Sequence, residues 1–123
     1  MSKPNKIDGE LLTQAIEEIW KFYQLTLNKP DLFFTEKRKE KGLSRLRDAM
    51  RMPEAKGNLA SAVELMKAAI EEVARDPWEG RSSYNDWEKH IFGSTERFES
   101  WIEKWRKGRE QEDALNHRSV LDD

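Results

Sequence analysis

Residues 76–108, DPWEGRSSYNDWEKHIFGSTERFESWIEKWRKG, contain four of the five tryptophans in the chain. The second half of this stretch predicts a helix that begins after Gly93, where Ser94 or Thr95 can cap the first turn. Four large apolar side chains then recur at helical spacing and fall on one face: Phe98, Trp101, Ile102 and Trp105. Rings on such a face are typical of a core, so this stretch predicts a helix that packs against other helices.

The first half of the same stretch is typical of an irregular connection, because Gly80 and two serines interrupt any periodicity. Asn85 or Asp86 can cap a short helix that runs through Phe92. Three rings lie in or beside this connection, where they can pack over the end of a bundle or stay exposed: Trp78, Tyr84 and Trp87. We expect these three rings to bind a partner, with packing in the core as the alternative.

Three amphipathic helices precede this stretch. The first spans about 10–28, ends at an Asn-Lys-Pro sequence, and places five apolar residues on one face: Leu12, Ile16, Ile19, Tyr23 and Leu27. Thr35 can cap a second helix that runs to about Met52, and the apolar residues 32–34 can fix the entry of the chain. Asn58 can cap a third helix, which stops before an Asp-Pro pair.

These patterns predict an all-α fold, a single compact bundle of four to five short helices. We expect a flexible N-terminus over residues 1–9 and the helical bundle over residues 10–108. Residues 109–123 lose periodicity, so we expect a frayed or disordered C-terminal tail, with some residual helix through Leu115.

Composition sets further limits. The formal net charge is -2, so an affinity for nucleic acid requires local clusters of lysine and arginine. The chain has no cysteine, which excludes disulfides and thiolate metal sites and suits a reducing compartment. Since neither a signal peptide nor a run of roughly 20 apolar residues is present, we expect a cytoplasmic protein without a membrane partner.

The sequence offers little chemistry. It has no phosphate-binding glycine loop, no metalloprotease motif and no nucleophile elbow. His90 lies four residues after Asp86, and such an Asp–His pair is common on the surface of helices. His117 lies in the predicted tail. We therefore expect no enzyme, no catalytic residues, no metal, no cofactor and no small-molecule substrate.

The second predicted helix is locally basic. Over residues 36–51, seven bases accompany three acids, Glu36, Glu40 and Asp48. Basic side chains on an amphipathic helix can neutralise phosphates, and neighbouring rings can stack unpaired bases. We therefore predict a single-stranded nucleic-acid site formed by these cations together with one arginine of the irregular connection: Lys37, Arg38, Lys41, Arg45 and Arg81. The alternative is a solvated helix whose cations pair with acids of its neighbours.

The segment LFFTEKRKEKGLSRLRDAM, residues 32–50, and the stretch 76–108 together resemble the C-terminal helical module of phage and mobile-element replication proteins. These proteins are replisome organisers and helicase-loader-like initiators, and the module is also similar to primase-associated helix bundles. Thr35, Lys37 and Arg38 match the element that opens one helix of the module. Six residues approximate the element that closes it: Pro77, Trp78, Gly80, Trp87, Phe92 and Phe98.

The resemblance implies a small, non-enzymatic replication accessory protein of a mobile element or phage. Its partner would be single-stranded DNA, a replisome enzyme such as helicase or primase, or both. The alternative function is a protein-protein adapter or inhibitor that acts through the aromatic segment 78–105 without binding nucleic acid.

Overall fold

A computed structural model describes residues 9–75 and 86–122, with side chains through residue 110. Within these ranges the chain forms four α-helices and one short π-helical turn, and no strand is present. The helices are α1 (Gly9–Thr26), α2 (Glu36–Met50), α3 (Leu59–Arg75) and α4 (Thr95–Asp122), and the π turn spans Trp87–Ile91. The predicted all-α bundle is confirmed. None of the described helices is long and apolar enough to cross a membrane.

Side-chain caps begin three of the helices, at the residues that the sequence predicts. Thr35, Asn58 and Ser94 each accept a hydrogen bond from the backbone N–H three residues further on, at 3.2, 2.9 and 3.1 Å. Such caps satisfy N–H groups that have no partner within the first helical turn. The polar residues at these breaks therefore set where α2, α3 and α4 begin.

The connection between α1 and α2 is fixed by two polar side chains. Asn28 adopts a left-handed backbone with φ of 55°, which ends the helix at low steric cost for this residue type. The Gln24 amide then donates to the carbonyl oxygens of Lys29, Pro30 and Leu32 at 3.1–3.3 Å. One side chain therefore contacts three carbonyl groups of the connection.

The last helix is longer than the sequence predicts. Helical periodicity of apolar residues ends near Trp105, whereas the backbone of α4 continues as helix to Asp122. The segment from Arg109 onward is polar and contains no proline, so nothing in its composition stops a helix that is already nucleated.

Helix α3 lies at the centre of the bundle, because it packs against α1, α2, α4 and the π turn. Its buried face contains both large and small apolar side chains: Ala62, Val63, Leu65, Met66, Ala68, Ala69, Ile70 and Val73. The alanines let neighbouring helices approach closely. Phe98, Trp101 and Ile102 of α4 are buried against this core, as their spacing predicts.

Trp87 fills the aromatic part of the core and is 0% exposed. Its ring meets four other rings edge-on, with centroids 4.6–5.9 Å away: Trp20, Tyr23, Phe34 and Phe92. Its indole N–H donates to the Arg38 carbonyl at 2.7 Å, and its backbone N–H donates to the Tyr23 hydroxyl at 3.2 Å. Because the ring is buried and both donors are satisfied inside, the structure favours the alternative for Trp87, packing in the core, over partner binding.

Gly42 of α2 makes room for this ring. A Cβ atom at position 42 would lie 2.7 Å from Trp87 Cζ2 and 2.6 Å from Ile16 Cδ1. Both distances are shorter than carbon atoms tolerate, so a larger residue forces the ring or α1 to move. The glycine therefore lets α2 lie against both α1 and the π turn.

We expect Gly42→Ala to lower the free energy of unfolding by about 1–3 kcal/mol, since overpacking outweighs the gain in helix propensity. Gly108 is the matched control, because it is also helical and a Cβ atom there meets nothing within 4 Å. Gly108→Ala should raise stability by up to about 1 kcal/mol. Urea unfolding followed by circular dichroism measures both changes. A Gly42→Ala protein as stable as Gly108→Ala would contradict the packing argument.

Candidate functional site

The residues predicted to bind partners fall into three groups in the structure. Trp78, Tyr84 and Arg81 lie outside the described residues. Trp87 lies in the core, as shown above. The remaining residues, Lys37, Arg38, Lys41 and Arg45, lie on α2 but make very different contacts. Among the described residues, the structure therefore places Trp87 in the core and the four cations in different surroundings along α2.

Arg38 acts as a bridge within the protein. Its Nε lies 3.1 Å from both carboxylate oxygens of Glu88 in the π turn, and its Nη1 donates to the Phe33 carbonyl at 2.7 Å. Its guanidinium carbon also lies 5.9 Å from the centre of the Trp20 ring. A phosphate at this position would have to displace a carboxylate that is only partly exposed.

Glu88 responds to this contact. Burial alone raises the pKa of Glu88. The hydrogen bonds from Arg38, a backbone hydrogen bond and the charges of Arg38 and Lys37 lower the pKa by more, so it lies below its ordinary value. The carboxylate therefore stays ionised and holds the arginine. This pair joins α2 to the π turn that carries Trp87.

Lys41 and Arg45 also contact protein acceptors. Lys41 Nζ donates to the Gly93 carbonyl at 3.2 Å. Arg45 Nε lies 3.0 Å from a carboxylate oxygen of Asp48, which also accepts a hydrogen bond from the Thr95 hydroxyl at 2.8 Å. These contacts join α2 to the segment that begins α4. The alternative that the sequence left open is a solvated helix whose cations pair with acids of its neighbours. Arg38 agrees with it through Glu88, whereas Lys41 binds a backbone carbonyl and Arg45 pairs with an acid of α2 itself.

The structure describes four of the predicted nucleic-acid-binding residues. Of these four, only Lys37 is exposed and has a side chain without a hydrogen bond or ion pair to another described residue. The solvent face of α2 around it mixes both signs of charge: Glu36, Lys37, Glu40, Arg47 and Arg51. Arg51 is itself paired with Asp48. The exposed part of α2 is therefore less basic than its sequence suggests.

Between the end of α2 and α4 lies a groove of about 540 Å³ whose lining mixes both signs of charge. Beside it, Arg106 donates to both carboxylate oxygens of Glu54 at 2.6 and 2.8 Å. These hydrogen bonds lower the pKa of Glu54 against the opposing effect of burial. The charges here hold the α2–α3 connection onto α4. No group of three histidine, cysteine or carboxylate side chains within the described ranges is arranged to hold a metal ion.

The most exposed large apolar side chains of the described residues lie at the corner between α1 and α2. Leu25 is 83% exposed and Phe33 is 81% exposed. The residue before Leu25, Gln24, donates to the carbonyl of Leu32, the residue before Phe33. This hydrogen bond joins the backbone segments that carry the two exposed side chains, and we call Leu25, Phe33 and the connection between them the α1–α2 corner.

The backbone of this corner is held in place. Arg38 Nη1 and the backbone N–H of Thr35 both donate to the Phe33 carbonyl, at 2.7 and 3.1 Å. Residues 32–34 belong to neither a helix nor a strand. Leu32 and Phe34 pack against the core, and Phe34 stacks on Trp20 at 4.8 Å, which leaves the ring between them in solvent.

The sequence does not predict this corner, because residues 32–34 together are typical of the entry to α2. The run of three large apolar residues is still an indication, since successive side chains of a short connection do not all face the same neighbour. For Leu25 the signal is weaker, since it lies on the helix face opposite to the apolar stripe of α1.

The buried contact between Tyr23 and Trp87 gives a measurable pH dependence. Burial is the main cause that raises the pKa of Tyr23 to about 12. The hydrogen bond from the backbone N–H of Trp87 lowers the pKa, the charges of Asp86 and Glu88 raise it, and the charge of Arg38 lowers it. The folded protein therefore holds the phenolic proton more tightly than the unfolded chain, whose tyrosine pKa is about 10. The resulting stability is complete below pH 10 and is lost as the pH rises towards 12.

We expect the free energy of unfolding to fall by about 1 kcal/mol more between pH 9 and pH 11 in the unsubstituted protein than in Tyr23→Phe. Urea unfolding at the two pH values measures the difference. In Tyr84→Phe, Tyr23 is the only tyrosine left, so phenolate absorbance reports its ionisation directly. Ionisation of Tyr23 near pH 10 in the folded protein would contradict the burial argument.

Comparison of the chain with protein-family models, with curated proteins and with solved structures finds no match.

Proposed function

We propose that the protein is a small, non-enzymatic accessory protein that acts by binding another protein through the α1–α2 corner. The observation that carries this proposal is the exposure of Leu25 and Phe33, each above 80%, on a backbone fixed by hydrogen bonds. Apolar side chains of this size gain free energy when a partner covers them. Aromatic residues are also enriched in the cores of protein interfaces.

The fixed backbone strengthens this proposal. A ring on a loose loop loses conformational freedom when it binds, which weakens the complex. Here the Gln24 amide and the Arg38 guanidinium hold the residues around Phe33 before any partner arrives. The backbone that carries the ring is therefore held before binding, which lowers the entropy cost of binding.

The class of partner comes from the resemblance to replication modules. A replisome enzyme, helicase or primase, is the first partner to test, and the role would be to bring such an enzyme to its site of action. An adapter that acts outside replication is the alternative. Both versions use the same corner, whereas the adapter that the sequence predicted would act through the segment 78–105.

The test places a photo-crosslinking benzoylphenylalanine at position 33, or at position 25, in cells that naturally contain the protein. We expect one discrete crosslinked product from each position, and none from position 100, where Ser100 is exposed on α4. A second substitution, Leu25→Asp, should abolish the product from position 33, because it places a charge in the interface. Identification of helicase or primase in the product would support the replication role.

Equal crosslinking from positions 33 and 100, or none from either corner position, would contradict the proposal. Circular dichroism of each variant shows whether the bundle is intact. Since both corner side chains are exposed, their replacement should leave the unfolding transition within about 0.5 kcal/mol of the original.

Single-stranded DNA binding is a second candidate, and one observation favours it. The exposed Phe33 ring precedes α2 by three residues, and Lys37 is exposed in the first turn of that helix. A free ring beside an uncommitted cation can stack one base and contact one phosphate.

A labelled oligonucleotide of about 20 nucleotides, titrated at low and moderate salt, tests this candidate. We expect Phe33→Ala to weaken binding by about 1–3 kcal/mol, the range for one stacked base. Leu25→Ala is the matched control and should change nothing, since leucine offers no ring. Absence of binding at low salt, or equal losses in the two variants, would remove DNA from consideration.

A further inference from the structure

A second apolar surface lies on the other side of α1. A groove of about 310 Å³ runs between the N-terminal halves of α1 and α3. Its floor consists of small or nearly buried side chains, Ala15 and Val63, together with the exposed Ala60. Leu11, which is 50% exposed, and Leu59 complete the apolar lining.

The two helices that form the groove run in the same direction. The lining pairs residues 11–18 of α1 with residues 59–64 of α3, and further along Lys67 of α3 contacts α1. Lys67 Nζ lies 2.6 Å from Glu18 and 5.5 Å from the centre of the Phe22 ring. Two parallel helices with small residues between them leave a straight depression, about two helical turns long, in which a third helix can lie.

The rim of the groove is acidic. Glu18 and Glu64 line it, with side chains 60% and 74% exposed. Both carboxylates share Lys67, at 2.6 and 3.9 Å, so two negative charges meet a single positive one. Three further exposed acids lie on the two helices: Glu10, Glu17 and Glu71. The exposed bases on α1 and α3 are Lys21 and Arg75. The surface around the groove is therefore negative, although the whole chain carries only -2.

We propose that this groove binds an amphipathic helix of a partner protein, with leucine-like side chains over Ala60 and lysine or arginine opposite Glu18 and Glu64. The occupant follows from complementarity, because an apolar floor takes apolar anchors and an acidic rim favours basic flanks. This inference rests on the proposed protein-binding function and adds a second surface to it. With the α1–α2 corner, it gives the protein two places at which to bind partners.

A fluorescein-labelled synthetic peptide of 18 residues tests the groove. Its leucines follow the spacing i, i+3, i+4, i+7, and all other positions are lysine; a second peptide has glutamate in place of lysine. Fluorescence anisotropy at physiological salt measures both. We expect the lysine peptide to bind at least about tenfold more tightly than the glutamate peptide, because charges of opposite sign meet at the rim.

Two matched variants locate the binding. Ala60→Arg fills the groove, whereas Ala74→Arg adds the same charge at an exposed position about 21 Å further along α3. We expect Ala60→Arg to weaken binding of the lysine peptide at least about tenfold. Ala74→Arg should change the affinity of the same peptide less than twofold. Equal losses in both variants, or equal binding of both peptides, would show general charge attraction and overturn the proposal.

Two other occupants give different results. Sedimentation equilibrium that finds a dimer, lost in Ala60→Arg, would assign the groove to a second copy of this chain. Peptide binding that appears only after deletion of residues 2–8 would assign it to the N-terminal segment of this chain. Either result would overturn the proposed occupant. Failure of the peptide test leaves crosslinking at position 33 unaffected, so the groove and the corner are judged separately.

Discussion

The fold depends on the burial of one indole ring, that of Trp87, against a helix with a glycine at the point of contact. Gly42 lets α2 approach, the indole N–H bonds to the Arg38 carbonyl, and the Trp87 backbone N–H bonds to Tyr23 of α1. The ring therefore connects α1, α2 and the π turn at once. Removing it would leave a cavity and take away the indole hydrogen bond to the Arg38 carbonyl in the same place, and both losses are costly in a small core.

The same constraint determines which charges remain for function. A turn that carries a buried tryptophan must be held against α2, and Arg38 and Lys41 hold it through Glu88 and the Gly93 carbonyl. Arg38 and Lys41, which look free in the sequence, therefore hold the fold together. Among the described residues, exposed apolar side chains remain at the α1–α2 corner and in the groove between α1 and α3. These contacts support the proposal of a protein partner.

Much of the fold was predictable from the sequence, and much less of the site. The caps at Thr35, Asn58 and Ser94 and the apolar stripes required only local patterns, so the number and order of helices followed from them. Trp87 could not be placed, because its burial depends on a glycine 45 residues earlier, which no local pattern reveals. The ion pair of Arg38 could not be predicted for the same reason, since its partner Glu88 lies 50 residues away in the sequence. Residues 76–85 stay a prediction.

The distance in sequence between Trp87 and its partners also affects how the chain folds as it is made. The bond from Trp87 to the Tyr23 hydroxyl spans 64 residues, and Phe92 follows only later. During synthesis, α1, α2 and α3 are complete before the ring that fills the space between them exists. In the folded protein, the space that this ring fills is bordered by Trp20, Tyr23 and Phe34, and these rings lack that contact until Trp87 has been made. Contacts of such long range are formed late and slow the folding of small domains. Until residue 92 has left the ribosome, the nascent helices expose aromatic surface that a chaperone can recognise.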